Sequence, residues 1–387
     1  MRLLHTSDWH LGRLFHGASL LQEQAAALDR IVGLAAEAEV DAVLIAGDLY
    51  DRAIPPAEAV QLFNDTLARL SRGGAAVIAI AGNHDSHVRV SIYDPLLSAF
   101  GVTIRGDVRR ADEPVLVTPR RGGDPVAVYP LPYLEPSVDG PLLAAEPQRL
   151  NHPEVTRLAL ERIRRDRGAR PRQRAVLVAH TFVAGGETSE SERELSVGNV
   201  DRISVDTFAG FDYVALGHLH GSQQLDGPRV AYSGTPLPYS FSEQHHRKSV
   251  RIVELDDAGK VGVEIVPLGV GRALRTLEGP IEALCSDPRH EEARDAWVRV
   301  ILTDEVLPLQ AMARLRQRFP HVAELRHRPP AVVHATVDDR QRQVRQATSP
   351  LDLALAFFSD QQGRPPHQAE AELLRQALEA VGRGGRP

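Results

Sequence analysis

Five polar clusters punctuate the first 220 residues, and each follows a short apolar run that ends in a turn. Asp8-Trp9-His10 follows residues 2–6, Gly47-Asp48-Leu49-Tyr50-Asp51 follows residues 42–45, and Gly82-Asn83-His84-Asp85 follows residues 77–81. His180 closes the run 176–179, and Gly217-His218-Leu219-His220 closes the run 213–216. Short apolar runs bounded by turn residues read as buried strands, and open α/β sheets bind ligands beyond the carboxyl ends of their strands. Such a chain must fold so that several strand ends deliver acids, an amide and imidazoles to one edge. Between the runs lie helical patterns: Leu21, Ala25, Leu28, Ile31 and Ala35 share a face over residues 20–38, and a second pattern covers residues 55–70. The expected fold class is α/β, a layered core with central β-sheets covered by helices.

Those residue types suit two divalent cations. A pair about 3.5 to 4 Å apart can activate a water and stabilise the leaving oxygen of a phosphoryl displacement, provided that a carboxylate bridges it. Asp48 is the natural bridge. Imidazole nitrogens with carboxylate and carbonyl oxygens suit Mn, Fe or Zn, and no thiolate joins them, since Cys285 is the only cysteine and lies far from every cluster. One cluster alone would carry little, because a histidine after a strand is more often a hydrogen-bonded structural residue. Gly-Asn-His-Asp is sharper: an amide oxygen, an imidazole and a carboxylate in one glycine-started turn build a poor core and a good site.

In this order the clusters resemble the calcineurin-like metallophosphoesterase superfamily. The longer segments HTSDWHLG at residues 5–12, AGDLYD at 46–51, AGNHDS at 81–86 and YSGTPLPYSFSE at 232–243 are similar to the SbcD group of bacterial DNA exonuclease subunits, related to the eukaryotic double-strand-break-repair nuclease. The match runs nearly end to end, with motifs dense through about residue 245. The resemblance implies one metal held by Asp8, His10, Asp48 and His220, and a second held by Asp48, Asn83, His180 and His218. Manganese is the first expectation, with Mg, Fe and Zn as the other candidates. His84 is implied to assist the leaving group as proton donor or charge stabiliser; Asp51, where some relatives carry a histidine, reads as a partner behind a ligand histidine, and Asp85 reads the same way. The resemblance further implies an ATP-dependent 3'-5' double-strand exonuclease and a single-strand and hairpin endonuclease, acting in DNA end processing and repair. Its implied partners are DNA, a coiled-coil ATPase of the SbcC type, and a second copy of the chain within a heterotetramer.

At 387 residues with 43% hydrophobic content the chain has room for more than one domain. The expected division is a metallophosphoesterase nuclease domain over 1–270, a small α+β capping domain over 271–335, and partner-binding helices over 345–387. A net charge of -6 does not exclude DNA, because binding depends on local patches. Arg157, Arg162, Arg164, Arg165, Arg167, Arg170, Arg172 and Arg174 accompany only Glu161 and Asp166; they read as a solvated helix face, with DNA-backbone contact as the alternative. One cysteine, no apolar leader and no apolar run near 18 residues point to a cytoplasmic protein without membrane segments.

Residues 183–197, glycine-opened and polar, read as a mobile loop beside His180. In the capping region a strand is expected over 297–302, a helix over 309–319 and a strand over 322–326. Ser349, Pro350 and Asp352 form a helix start, with helices expected to about residue 360 and over 367–381. Leu351, Leu355 and Phe358 line one, Leu374, Leu378 and Val381 the other, and these stripes are expected to dock on the partner. No Walker A loop is present, since Lys248-Ser249 follows Arg247 and Gly259-Lys260 precedes Val261, so no nucleotide is expected on this chain. Two other readings use the same residues. A small-substrate phosphomonoesterase or cyclic-nucleotide phosphodiesterase would not need the carboxyl-terminal modules, and a non-catalytic DNA-end scaffold would not need His84.

Overall fold

The apolar runs are continuous rather than alternating because their strands are buried on both faces. The structure, a computed structural model, describes residues 1–146, 149–170, 173–192, 202–330, 349–362 and 364–384. Its strands, in chain order, begin with β1 (Arg2–Thr6), the short hairpin β2 (Leu14–Phe15) and β3 (Ala18–Ser19), β4 (Ala42–Ile45), β5 (Ala76–Ile80) and β6 (Val102–Arg105). They continue with β7 (Val115–Val117), β8 (Val126–Leu131), β9 (Ala175–His180), β10 (Tyr213–Gly217), β11 (Gln223–Asp226), β12 (Val230–Tyr232), β13 (Ser249–Leu255) and β14 (Val261–Pro267). One six-stranded sheet runs β14-β13-β1-β4-β5-β6 and another runs β11-β12-β10-β9-β8-β7. In the first, β1, β4, β5 and β6 are parallel; in the second, β8, β9, β10 and β12 are parallel. Hairpin β7–β8 is antiparallel as its two short apolar runs suggest.

Strand periodicity then sorts the side chains into layers. Leu3, Ala42, Leu44, Ile78 and Ile80 of the first sheet share a core with Val126, Val128, Val176, Val178, Tyr213 and Ala215 of the second. The alternate residues Leu4, Val43, Ile45, Val77 and Ala79 face outward onto the helices Leu21–Glu37 and Ala57–Arg72. On the far side Leu177, Val214 and Leu216 pack against the helix His152–Gly168. The result is four layers, helix, sheet, sheet and helix. His5 stands in the shared core, fully buried, bonded to Tyr213 Oη at 2.8 Å and to Leu216 O at 3.1 Å. Burial, the largest cause, holds its imidazole down at about 3, so it is neutral at working pH and ties the two sheets by hydrogen bonds rather than charge.

The chain divides into two compact units, Met1–Arg275 with Asp295–Val298, and Thr276–Arg294 with Arg299–Pro387. Strands β15 (Leu274–Gly279), β16 (Trp297–Leu302) and β17 (Val322–His327) form a sheet in that order, accompanied by helices Ile281–Ser286 and Ala311–Arg318. Sequence reading supplies β16, β17 and the longer helix but not β15, whose buried Leu274 and Leu277 are three residues apart. That spacing carries no strand period.

Two terminal helices, Pro350–Gln362 and Gln368–Gly384, follow. Ser349 Oγ accepts from Asp352 N at 3.1 Å, the cap expected there. The helices pack against each other. Leu351, Leu355, Phe358, Leu374 and Leu378 are half-buried, while the side chain of Val381 lies outside the described residues. Helices short enough to need cover thus find part of it in each other. The large apolar residues left exposed here are Leu353 at 44%, Phe357 at 65% and Leu373 at 65%. Among the described residues no helix is long and apolar enough to cross a membrane.

Candidate metal centre

Parallel strands point their carboxyl ends one way, so the turns after β1, β4, β5, β9 and β10 meet at one edge of the sandwich. Asp8 N donates to Gly47 O at 3.0 Å and His10 N to Asp48 O at 2.9 Å, which locks the first two turns together. The turns are sharp. Asp8, His10, Asp48 and His218 have φ of 53°, 44°, 49° and 112°, a region that costs a non-glycine residue about 1–3 kcal/mol and clusters at functional sites. Two glycines are required by close approach: a Cβ on Gly82 would collide with Asp48, and one on Gly217 with the carbonyl of Ala46.

The turns bring all seven expected metal ligands together. His10 Nε2 lies 3.2 Å from His220 Nε2, and Asp48 Oδ2 lies 3.5 Å from both His10 Nε2 and His180 Nε2. Asn83 Oδ1 is 2.9 Å from His180 Nε2 and 3.2 Å from His218 Nδ1. Ligand atoms of Asp8, His10 and His220 lie within 4.8 Å of one another, as do those of Asp8, Asp48 and His180. Proton counting tests whether a cation fits. His180 Nδ1 is 2.8 Å from the carbonyl of Ala46, which only accepts, so Nδ1 carries the proton and Nε2 turns a lone pair toward the acceptor Asn83 Oδ1. Neutral imidazoles, carboxylates and an amide converging with lone pairs turned inward are a donor set that fits divalent metal.

Burial shapes the charges. It pushes Asp8 well above the usual carboxylate range, with the Asp48 charge adding to the effect. Burial likewise raises Asp48 to about 6, against the lowering influence of His84. His10, His218 and His220 are held well below the imidazole range and His180 at about 3, burial being the first cause in each. The imidazoles are therefore ready as neutral ligands, whereas Asp8 and Asp48 bind protons more readily than ordinary carboxylates and a cation must compete with those protons as pH falls.

The other expected site residues take distinct positions. His84 is half-buried; its N–H donates to Asp48 Oδ1 at 2.8 Å, and its Nδ1 meets the carbonyl of Asp51 at 2.9 Å. Ligand atoms of His10, Asp48 and His84 also fall within 4.8 Å of one another. Asp51 Oδ1 lies 3.7 Å from His10 Nδ1, beyond hydrogen-bond reach, and takes Arg13 Nη1 at 3.2 Å. Asp85 touches no ligand histidine. Its carboxylate accepts from the backbone N–H of Leu49, Tyr50 and Gly82 at 3.0, 3.0 and 2.8 Å, which pins the Asp48 turn to the Asn83 turn.

Sequence reading misses a ring of supporting residues. Ser7 Oγ donates to Asp8 Oδ2 at 2.5 Å, Ser191 Oγ meets His220 Nδ1 at 2.5 Å, and Glu192 accepts from His220 N at 2.8 Å. Behind them stand Glu243 and Lys248. Ser191 and Glu192 belong to the polar segment after His180, whose residues 193–197 lie outside the described residues. The arginine run is engaged within the fold. Arg157 and Arg170 pair with Glu161 and Asp166, Arg162 with Asp112, Arg164 and Arg167 bind the carbonyls of Thr207 and Gly210, and Arg174 is buried against the carbonyls of Asp124 and Asp256. Donors so occupied suit structure better than a DNA backbone; Arg172 lies outside the described residues.

This fold and donor set define a metal-dependent hydrolase of the calcineurin-like phosphoesterase class, whose family model matches residues 1–222. A second model, described as the type 5 capsule protein repressor C-terminal domain, matches residues 270–362. The SbcD component of the nuclease SbcCD from Bacillus subtilis (strain 168) is 35% identical over 379 residues, 94% of each chain. The chain belongs to the SbcD family. Among solved structures, TT1561 of Thermus thermophilus aligns with TM-score 0.40 and 15% identity over 68% of this chain and 98% of its own. Yfce, a phosphoesterase from E. coli, aligns with TM-score 0.28 and 15% identity over 70% and 94%. Likenesses this loose bear on neither site nor function.

Because Asp48 sits at about 6 in the metal-free protein, protons compete with metal as pH falls through that value. Mn2+ titrated calorimetrically at pH 6 in two buffers of unlike ionisation heat should show proton release. Affinity should drop about tenfold per pH unit per displaced proton below pH 6. Equal heats in both buffers would contradict the assignment of buried, protonated carboxylates.

Proposed function

We propose that the chain is the nuclease subunit of an SbcCD-like complex and hydrolyses DNA phosphodiester bonds at a two-cation centre, with manganese as the preferred ion. The observation that carries this reading is the position of Asp48 Oδ2, 3.5 Å from an imidazole on either side. One carboxylate oxygen there would serve two cations, the first with Asp8, His10 and His220, the second with Asn83, His180 and His218. When bound, the pair would supply water activation and charge stabilisation at the leaving oxygen. The Asp48 carboxylate would keep its other oxygen on the His84 N–H and so fix its own orientation.

His84 is assigned to the leaving group. The Asp51 carbonyl can only accept, so Nδ1 of His84 carries a proton, and a second proton on Nε2 would let this half-buried ring donate to a phosphate or leaving oxygen. On this reading residues 271–335 position DNA, and the protein works in the cytoplasm on duplex ends, hairpins and single strands. The chain has no Walker A loop, so ATP stimulation must come from the ATPase partner, for which the terminal helix pair supplies the docking surface. Exposed Val88, Ile92, Tyr93, Leu96 and Phe100 offer a second copy an apolar face.

The direct test is digestion of end-labelled hairpin DNA with Mn2+, with and without the partner ATPase; no Mn-dependent cleavage in either arm would overturn the reading. In that assay His84→Gln should abolish turnover while metal content and DNA affinity persist, and loss of metal would instead make His84 a ligand. Removing the residues from 349 onward should keep Mn-dependent cleavage of single strands but lose co-purification with the ATPase and its ATP stimulation on duplex ends. Phe357→Glu with Leu373→Glu should mimic the truncation, because carboxylates forced into an apolar interface cost about 1–3 kcal/mol or more. A truncated protein that loses its metals would refute the docking role.

A further inference from the structure

A ligand histidine works only with the right nitrogen deprotonated, and the structure contains a chain of groups that decides this for His220. Lys248 Nζ has three donors and three acceptors: Glu243 Oε2 at 2.5 Å, Thr235 Oγ1 at 2.7 Å and the His220 carbonyl at 2.9 Å. It is therefore an ammonium, and Glu243, 1% exposed and facing it, is a carboxylate. Glu243 Oε1 also takes the Tyr239 N–H at 3.2 Å and the Ser240 hydroxyl at 3.0 Å, which leaves it purely an acceptor. Ser191 Oγ lies 2.5 Å from that oxygen and 2.5 Å from His220 Nδ1.

A serine hydroxyl has one proton. Given to His220, or to the Ser189 hydroxyl 2.9 Å away, it would leave two oxygens with lone pairs facing each other at 2.5 Å beside a carboxylate that has no proton to offer. Given to Glu243, it leaves a serine lone pair for His220 Nδ1–H to donate to. We infer that Ser191 and Glu243, anchored by Lys248, are positioning residues that fix His220 as its Nδ1–H tautomer and so present a bare Nε2 to the metal centre. Carboxylates and carbonyls commonly orient ligand histidines in this way, and their loss costs about 10- to 100-fold in metal affinity; here a serine is interposed, and His220 Nδ1 lies 4.0 Å from the carboxylate itself. The inference rests on His220 being a ligand, as proposed above. It also makes residues 189–192 part of the metal centre, because Ser191 and Glu192 both hold His220 and Ser189 N–H in turn donates to Glu192 at 2.6 Å.

The test is a histidine-labelled full-length chain, stripped of metal, read by long-range nitrogen-15 NMR and then titrated with Mn2+ in a calorimeter. The wild type should show the His220 proton on Nδ1 and two Mn2+ binding steps. Ser191→Ala should shift His220 toward the Nε2–H tautomer and weaken one step about 10- to 100-fold, leaving the other within about threefold; Ser191→Thr, which keeps the hydroxyl, should restore both. A wild-type His220 protonated on Nε2 overturns the inference without any variant, as does Ser191→Ala with both steps unchanged. A wild type that binds no Mn2+ pair fails earlier, at the metal-centre reading itself.

Discussion

Everything at this edge of the molecule depends on packing lone pairs against lone pairs. Neutral imidazole nitrogens, an amide oxygen and carboxylate oxygens converge within a few ångströms in a site where Asp8, His10, Asp48, His180, His218 and His220 are all buried. Without a cation the crowding makes Asp8 and Asp48 bind protons more readily than ordinary carboxylates; with one, each acceptor gains a partner. The surrounding fold makes that crowding tolerable. Two six-stranded sheets share one core, their parallel strands end together, and turns with left-handed residues swing Asp8, His10, Asp48 and His218 inward.

The backbone contributes as much as the ligands. Asp85 carries no ligand and no histidine contact, yet its carboxylate gathers three backbone amides from the two turns that present Asp48 and Asn83. Burial lifts Asp85 to about 7, and the Asp48 charge adds to this, so the clamp and the candidate bridging carboxylate respond to the same field. A cation that draws negative charge out of Asp48 also favours an ionised Asp85, the form that accepts the amides best.

Much of this was legible in the sequence because both the strands and the ligands follow local rules. A strand buried on two faces writes a continuous apolar run, and the turn after it writes its ligands within a few residues. The class, the layered α/β core and the meeting of the five clusters at one edge follow from that, while the choice of Asp8, His10, Asp48, Asn83, His180, His218 and His220 as ligands is what the resemblance implies. What sequence could not supply depends on distant pairing. Ser191, Glu243 and Lys248 meet His220 only through the fold, although Glu243 lies in a segment singled out for its resemblance. No local rule reveals that the terminal helices pack against each other, and β15 shows no strand period because its buried leucines lie three residues apart.

The central claim is that Asp48 alone joins the two halves of the centre, and metal counting on Asp48→Asn tests it most directly. An amide retains one good acceptor and forfeits the charge that two cations share. Elemental analysis of the purified variant against the wild type should find both metals depleted together, with folding unchanged by circular dichroism. Two tightly bound metals in Asp48→Asn would contradict the account.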